Sequence, residues 1–253
     1  MEINLEIQGP ARTEPRTMVL FGKPKVGKTT ICADLTTERN FLLIELEKGG
    51  ADALKARKVQ ITNLNDLFDL CKQVKADKAK YNFEGCIIDT CTKLEEMSNA
   101  YAIKLYKETI MGRNYEGTDI TTLPQGAGYM WIRKAFLKIM TMIENTFDRV
   151  IYIAHTTEKT ILKKGEEASS QEISLGGKLS AIFAAQIDSI GYVFRDENAT
   201  KINFKSSTET VCGNRFPYLA DEIITIAESD ENKDITFHWE SIFPSMKEKQ
   251  TNK

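Results

Sequence analysis

Short apolar runs, each followed by a polar or glycine-containing segment, recur along the chain. The runs with the length of buried strands lie at residues 18–21, 41–46, 59–61, 83–89 and 149–154. Apolar residues at helical spacing lie between them, at residues 29–37, 65–76, 94–111 and 129–147. Strands that are apolar on both faces and alternate with helices are typical of a parallel sheet covered on both sides. The pattern therefore predicts an α/β fold with a mainly parallel central sheet flanked by helices.

The remaining segments complete one predicted domain over residues 1–243. Residues 1–16 alternate apolar and polar at Ile3, Leu5 and Ile7, which predicts an N-terminal edge segment before a turn. Further strands are predicted at residues 187–194 and 201–204, and the polar residues 112–128 are predicted to be a loop. The charged tail, residues 244–253, is predicted to be disordered.

Composition narrows the class of protein. A net charge of −2 gives no global sign of nucleic-acid binding, so any such contact would need a local basic patch. The five cysteines are odd in number and show no CxxC pair, which favours reduced thiols in a cytoplasmic protein. Residues 1–10 lack the apolar core of a signal peptide, and no apolar run approaches the roughly 18 residues of a membrane span.

One motif is specific. Residues 22–29 read GKPKVGKT, which fits the phosphate-binding pattern G-x-x-x-x-G-K-[ST] between a predicted strand and a predicted helix. Amide groups of such a loop bind phosphate oxygens, while Lys28 would bring a positive charge to them and Thr29 would coordinate Mg²⁺. We predict binding of a nucleoside triphosphate, and expect ATP because no NKxD tetrad follows. The predicted binding residues are Gly22, Lys23, Pro24, Lys25, Val26, Gly27, Lys28, Thr29 and Thr30.

Carboxylates at two strand ends suit a magnesium–nucleotide site. Asp89 ends the apolar run CIID and is the predicted metal-shell aspartate, acting with Thr29. Glu45 and Glu47 lie two residues apart in FLLIELE and so share a face. Hydrolysis needs a carboxylate to orient and deprotonate water, and Glu47 is the predicted base with Glu45 as its partner. The alternative is that both glutamates are ordinary solvated loop residues.

His155 follows the strand RVIYIA and is the remaining polar strand end. A histidine there could contact the γ-phosphate or the attacking water. The alternative is a structural histidine whose hydrogen bonds serve the fold alone.

Taken in order, these segments resemble the ATPase core of RecA-type recombinases. IELE is similar to the family's strand with the catalytic glutamate, CIIDT to its Walker B strand, and YIAHT to the strand that couples nucleotide to a DNA-binding loop. SLGGKLSAIFAAQIDSIGYV resembles its Gly-Gly helix and the strand after it. Within that group the chain looks most like short phage-encoded ATPases, including phage single-strand annealing proteins. The resemblance covers roughly residues 15–225 and implies a RecA-like P-loop fold.

The resemblance also implies function and partners. It implies ATP hydrolysis with Mg²⁺ in a homo-oligomer that binds ATP between subunits, where a neighbour's cation reaches the γ-phosphate. The candidates for that cation are Lys201, Lys205 and, best placed, Arg215. It further implies ATP-dependent binding or annealing of single-stranded DNA in phage recombination, repair or replication, with a single-strand DNA-binding protein as a further partner.

Two segments are candidates for DNA contact. Residues 156–174 would be the family's second DNA loop, but Lys159, Lys163 and Lys164 are balanced by glutamates, so a solvated loop or hairpin is the default. Residues 112–130 offer Arg113, Tyr115 and Tyr129, which could stack on bases or simply pack the loop.

Two other functions stay open. A small-molecule kinase would have a similar loop and size, although no arginine-rich lid is evident. A regulatory ATP-binding subunit with little turnover is the non-enzymatic alternative, against which Glu47 argues.

Overall fold

A computed structural model describes residues 9–163 and 166–246, without the side chains of residues 161–163 and 166–168. Its helices are α1 (Lys28–Glu38), α2 (Leu64–Ala76), α3 (Lys78–Tyr81), α4 (Cys91–Lys107), α5 (Ala127–Glu144) and α6 (Leu179–Gln186). Its strands are β1 (Thr17–Gly22), β2 (Phe41–Glu45), β3 (Lys58–Gln60), β4 (Gly85–Asp89), β5 (Arg149–Lys163), β6 (Glu166–Ile173), β7 (Ser189–Asp196), β8 (Ala199–Asn203), β9 (Gly213–Asn214), β10 (Ile223–Ser229) and β11 (Ile235–Phe237). The alternating segment at Ile3, Leu5 and Ile7 and the candidate Lys164 lie outside the described residues.

Nine of the strands form one sheet in the order β11-β10-β8-β7-β1-β5-β4-β2-β3, and the short β9 pairs with β7 off this path. From β7 to β3 neighbouring strands are parallel, because a helix or a longer loop connects each strand to the next parallel one. The predicted α/β class with a mainly parallel central sheet flanked by helices is confirmed. The strand predicted at residues 201–204 differs in direction: β8 runs antiparallel to β7, since a short turn joins them.

Alternate residues of the central strands enter two apolar layers, one on each face of the sheet. In β1, Val19 and Phe21 belong to the layer that packs against α2, α4, α5 and α6. Met18 and Leu20 belong to the layer under α1. Both faces of β1 are therefore buried, as expected for a central strand of a parallel sheet.

Strand register brings the predicted site residues to one edge of the sheet. Gly22 at the end of β1 pairs with His155 in β5. Asp89 at the end of β4 pairs with Ile153 of β5 and with Glu45 of β2. Three strand ends that are far apart in sequence thus lie side by side.

Strand β5 does not stop at the sheet. It continues beyond His155 and pairs with β6 as an antiparallel ribbon, from Thr156 opposite Ile173 to Lys163 opposite Glu166. Residues 156–163 and 166–173 thus form a two-stranded extension of a central strand, which agrees with the hairpin alternative for this segment rather than with a solvated loop. The β-branched and alternating residues in this segment suit extended backbone.

The C-terminal segment packs against the body further than expected. Trp239 is buried, and its indole Nε1 donates to the Ile31 carbonyl of α1 at 3.1 Å. Ser245 donates from its backbone N and from its Oγ to the buried carboxylate of Glu14, at 2.5 and 3.0 Å. The predicted boundary at residue 243 is therefore too early, because these hydrogen bonds tie residues 244–246 to the N-terminal segment.

Asp34, on α1, supplies a test of the packing of this helix. Burial, with the negative charge of Glu38, raises the pKa of Asp34 to about 6. Because the folded state then holds the proton more tightly than the unfolded state, Asp34 destabilises the fold as pH rises from about 4 through 6. We expect Asp34→Asn to raise the free energy of unfolding near pH 7.5 by about 1 kcal/mol, and to change it little near pH 4.

Urea unfolding at the two pH values measures this difference, with Asp69→Asn, at an exposed aspartate on α2, as the charge-matched control. An equal effect of Asp34→Asn at both pH values would contradict the assignment.

Candidate functional site

The loop between β1 and α1 has the conformation that phosphate binding requires. Gly27, immediately before α1, has φ of 99°, in the left-handed region that favours glycine. Gly22 lies so close to β7 that an added Cβ would be 2.3 Å from the Val193 carbonyl oxygen, so no larger residue fits. These two glycines let the loop turn tightly and point the amino end of α1 toward the cleft.

Lys28 is buried within the loop that it serves. Its Nζ donates to the carbonyl oxygens of Gly22 and Lys23, both at 2.9 Å. Burial lowers the pKa of Lys28, against the attraction of Asp89. The ammonium group is therefore held at a fixed position by backbone acceptors that a phosphate oxygen can replace.

Thr29 and Asp89 form the direct link between the loop and the neighbouring strand end. The Thr29 hydroxyl donates to Asp89 Oδ2 at 2.8 Å. Burial raises the pKa of Asp89, and the Thr29 hydrogen bond offsets this only in part. The predicted metal residues are thus in contact with each other.

This pair fits Mg²⁺. A hydroxyl and a carboxylate are the hard oxygen ligands that Mg²⁺ takes, alongside substrate phosphates and water. Within the described ranges, no cluster of three or more histidine, cysteine or acidic residues could hold a metal by itself. The donor set therefore suits an ion that arrives with a nucleotide.

The two glutamates after β2 have different surroundings. Glu45 is buried, and its Oε1 accepts a hydrogen bond from the Ala51 amide at 2.8 Å. Glu47 is 43% exposed, and its Oε1 accepts a hydrogen bond from the Thr90 hydroxyl at 2.7 Å. Glu45 thus supports the turn that follows β2, whereas Glu47 reaches the cleft beside Asp89.

His155 faces Glu47 across the cleft. Its Nε2 lies 3.5 Å from Glu47 Oε1. Its Nδ1 is buried and has no hydrogen-bond partner among the described residues. One ring nitrogen therefore faces the candidate base, while the other holds unused hydrogen-bonding capacity, which is rare for a buried polar atom.

These side chains surround one cleft of about 270 Å³. Loop residues 24–30 form one wall, except that Val26 does not reach the cleft and packs against the core beside α1. Glu45, Glu47, Asp89, Thr90 and His155 form the other. The structure thus brings together the loop, both metal residues, the candidate base and the histidine, as a nucleotide site would need.

The candidate cations from the C-terminal part lie elsewhere in this chain. Arg215 donates to Asp188 Oδ1 at 3.1 Å and to the Ala185 carbonyl at 2.8 Å. Asp188 also binds the backbone at the start of β1, so Arg215 lies at the opposite end of this six-residue strand, roughly 16 Å from the loop.

Lys201 pairs with Asp196 at 2.6 Å. Lys205 is exposed and lies beyond the end of β8. Their action on a neighbouring subunit's ATP stays a prediction.

The candidate DNA residues have mixed surroundings. In the ribbon, Lys159 pairs with Glu172 at 3.0 Å, and the side chain of Lys163 lies outside the described residues. In the other segment the Tyr115 hydroxyl donates to the Asp119 carbonyl at 2.6 Å, so Tyr115 packs the loop. Tyr129 is 51% exposed.

Thr90 is the site residue that the sequence did not single out. Its hydroxyl has two roles: it donates to Glu47 and accepts from the Lys93 amide, which caps α4. In the sequence, Thr90 is only a threonine that follows the strand. In the structure, a cis peptide bond joins it to Asp89. Only the pairing of β2 with β4 shows that it meets Glu47.

A parallel sheet, a glycine-bounded loop at the end of β1 and a hydroxyl–carboxylate pair at its mouth define a P-loop nucleotide-binding protein. Residues 14–216 match the AAA domain family, which is more than half of the chain. The chain belongs to this family.

Other comparisons are more distant. Among solved structures, a KaiC-like protein from the hyperthermophilic archaeon Pyrococcus horikoshii matches with 14% identity, 89% coverage of this chain, 90% coverage of that chain and a TM-score of 0.46. No curated protein matches the sequence. In the part of the chain that the structure describes, no helix combines the length and apolar character needed to cross a membrane.

The Thr29–Asp89 pair gives a direct test of magnesium binding. We expect Asp89→Asn to weaken the Mg²⁺-dependent part of nucleotide affinity roughly 10- to 100-fold, because the amide removes the carboxylate charge but keeps its shape. Nucleotide titration with Mg²⁺ and with EDTA measures that part, and Asp148→Asn, an exposed aspartate before β5, is the control.

Since burial raises the pKa of Asp89, acidification should reduce the Mg²⁺-dependent affinity of the unmodified protein at a higher pH than an ordinary aspartate would. Full Mg²⁺ dependence in Asp89→Asn would place the metal elsewhere.

Proposed function

We propose that this protein is a Mg²⁺-dependent ATP hydrolase. The observation that carries the proposal is the placement of Glu47 beside the Thr29–Asp89 pair and opposite His155 in one cleft. A carboxylate that is partly exposed at the mouth of a phosphate-binding site is suited to orient a water molecule and accept its proton.

Each residue has a part in the proposed reaction. Lys28 binds the β- and γ-phosphates, and Thr29 with Asp89 would hold Mg²⁺, which draws charge from the transferring phosphoryl group. Glu47 accepts a proton from water as the water oxygen bonds to the γ-phosphorus and the bond to the bridging oxygen breaks, giving ADP and phosphate. Thr90 orients Glu47 through its 2.7 Å hydrogen bond.

His155 is proposed to respond to the γ-phosphate. It lies beside Gly22 in the register of β1 and β5, and its Nε2 already lies near Glu47. The same strand continues into the ribbon, so a change in the hydrogen bonds of His155 acts on the first residue pair of that ribbon. Nucleotide state and ribbon position would then be linked.

A homo-oligomer with ATP between subunits is part of the proposal. Within the described chain, no arginine lines the cleft, and Lys25 and Lys28 are its only cations. Phosphoryl transfer in P-loop ATPases is strongly accelerated by an arginine, which in many cases comes from a neighbouring molecule. Arg215, about half exposed, is the proposed source.

The roles of Glu47 and Thr90 can be separated kinetically. We expect Glu47→Gln to bind ATP with unchanged affinity while turnover falls at least 100-fold, because the base is lost and the phosphate ligands stay. We expect Thr90→Val to lower turnover less, roughly 3- to 30-fold, because Glu47 keeps its carboxylate but loses its orienting hydrogen bond.

Steady-state turnover and equilibrium binding of ATP measure both variants. Lys28→Ala, which should lose binding as well as turnover, marks the other limit. Normal turnover in Glu47→Gln would place the base elsewhere.

We further propose that the hydrolysis serves single-stranded DNA, in recombination, repair or annealing encoded by a phage, with a single-strand DNA-binding protein as partner. The support is a surface at the end of α4 and the start of α5, which we call the α4–α5 surface. Its exposed apolar side chains are Ile110, Met111, Tyr129 and Met130. Its cations are Lys104, Lys107, Arg113, Arg133 and Lys134.

This surface has the chemistry that single strands require. Cations follow the phosphate backbone, and exposed aromatic rings stack on bases. Lys134 lies 4.4 Å from the Trp131 ring centre, so charge and aromatic surface are adjacent. In the ribbon, by contrast, the described Lys159 is already paired with Glu172.

ATP turnover with and without single-stranded DNA tests the partner. We expect stimulation by DNA that weakens as salt rises, and we expect Tyr129→Ala to reduce that stimulation several-fold without changing turnover in the absence of DNA. Ile223→Ala, which shortens a similarly exposed apolar side chain on β10, is the control.

Other outcomes would identify the alternatives. Turnover that needs a small acceptor molecule would favour a kinase. ATP binding without turnover, with or without DNA, would favour a regulatory subunit.

A further inference from the structure

The phosphate-binding loop has two sides, and the catalytic cleft occupies one of them. Asp89, Glu47 and His155 lie on the side toward β4 and β5, where the terminal phosphate must react. A triphosphate bound along the loop therefore leads its nucleoside toward the other side of the amino end of α1. The inference below rests on the proposed function, since it concerns the same nucleotide.

On that other side the structure has a second cleft. It shares Gly27 and Thr30 with the catalytic cleft, so the two are continuous along the loop. Strands β7, β8, β10 and β11 form the rest of its wall. Its enclosed part is about 50 Å³, less than a purine occupies, so a base there would keep part of its surface open to solvent.

Register places a row of four residues across these strands. Arg195 of β7 pairs with Thr200 of β8, Thr200 with Ala227 of β10, and Ala227 with Phe237 of β11. Residues paired in register project from the same face of a sheet. The two middle residues are small and buried, and the two outer ones carry a planar guanidinium group and an aromatic ring.

The row begins next to the loop. The Thr200 hydroxyl lies 3.5 Å from the position of a Cβ added to Gly27, within van der Waals contact. Thr200 and Ala227 thus form a small surface that begins at the phosphate site, and the planar side chains of Arg195 and Phe237 flank it. A flat heterocycle can lie on such a surface.

Of the two outer residues, Phe237 is partly buried and packs against the apolar layer under α1, whereas Arg195 is open to binding. Arg195 is exposed, and within the described ranges its guanidinium makes no hydrogen bond or ion pair. Ile235 lies two residues before Phe237, so it shares a face of β11 with it, and it is 47% exposed. An exposed isoleucine beside an aromatic ring and an unpaired arginine is the composition of a base-stacking surface rather than of a solvated strand edge.

We propose that this cleft binds the base and ribose of the nucleotide, with Arg195 stacking on the base and Phe237 and Ile235 providing its apolar contact. The ligand class is a purine nucleoside triphosphate. Asn198, in the turn between β7 and β8, lies at the same cleft and offers an amide to the base edge or the ribose.

Comparison of ATP with inorganic tripolyphosphate tests the assignment, because tripolyphosphate keeps the phosphates and lacks the nucleoside. We expect Arg195→Ala to weaken ATP binding roughly 2- to 30-fold and to leave tripolyphosphate binding unchanged, both measured by calorimetry with Mg²⁺. Arg195→Lys should recover only part of the ATP affinity, because the ammonium lacks the plane that stacks. Lys72→Ala, which removes an exposed cation from α2, is the control.

The outcomes separate this inference from the proposed function. Equal weakening of ATP and tripolyphosphate by Arg195→Ala would make Arg195 a phosphate ligand and overturn the inference. No effect on either ligand would also overturn it. If the unmodified protein bound neither ATP nor tripolyphosphate, the proposed function itself would be overturned.

Photolabelling locates the base without a substitution. With 8-azido-ATP we expect the label within residues 195–200 or 227–237, and tripolyphosphate should compete with it. Labelling of residues 48–56, which follow Glu47, would place the base on the opposite side and overturn the inference.

Discussion

The parallel register of β1, β5 and β4 is the constraint on which the rest of the site depends. It places Gly22, the first residue of the phosphate-binding loop, opposite His155 of β5, and it places Asp89 of β4 opposite Ile153, two residues before His155. Because all three strands are buried on both faces, a slip of one residue would exchange the two apolar layers of the core. The packing that stabilises the sheet therefore also fixes the relative positions of the site residues.

Burial in the cleft disfavours the charged forms of two site residues, Asp89 and Lys28. It raises the pKa of Asp89 and lowers that of Lys28, so both groups are pushed toward their neutral forms. A magnesium triphosphate brings a cation to the first and anionic oxygens to the second. Such a site favours its ligand because binding relieves an electrostatic cost already present in the folded protein.

The sequence was informative wherever function lies at the end of an apolar run. The motif at residues 22–29 identifies the loop, the ends of apolar runs identify Glu47, Asp89 and His155, and the structure places these three side chains in one cleft with most of the loop. Contacts between segments distant in sequence were not visible: the Thr90–Glu47 hydrogen bond, the antiparallel half of the sheet and the attachment of Ser245 to Glu14 all depend on tertiary pairing. Arg215 looked well placed by its order in the chain, but Asp188 holds it at the far end of β1.

Strand β5 connects the candidate site directly to the ribbon. Its 15 residues run without interruption from the buried sheet into the ribbon, with His155 at the point where the sheet ends. The eight steps along the backbone from His155 to Lys163 span roughly 26 Å at about 3.3 Å per residue. A rotation of about 10° at His155, smaller than the twist between two neighbouring strands, would therefore displace Lys163 by about 5 Å. Under the proposed function, a sub-ångström difference in how a phosphate is held would be amplified along the ribbon into a displacement that a second macromolecule can detect.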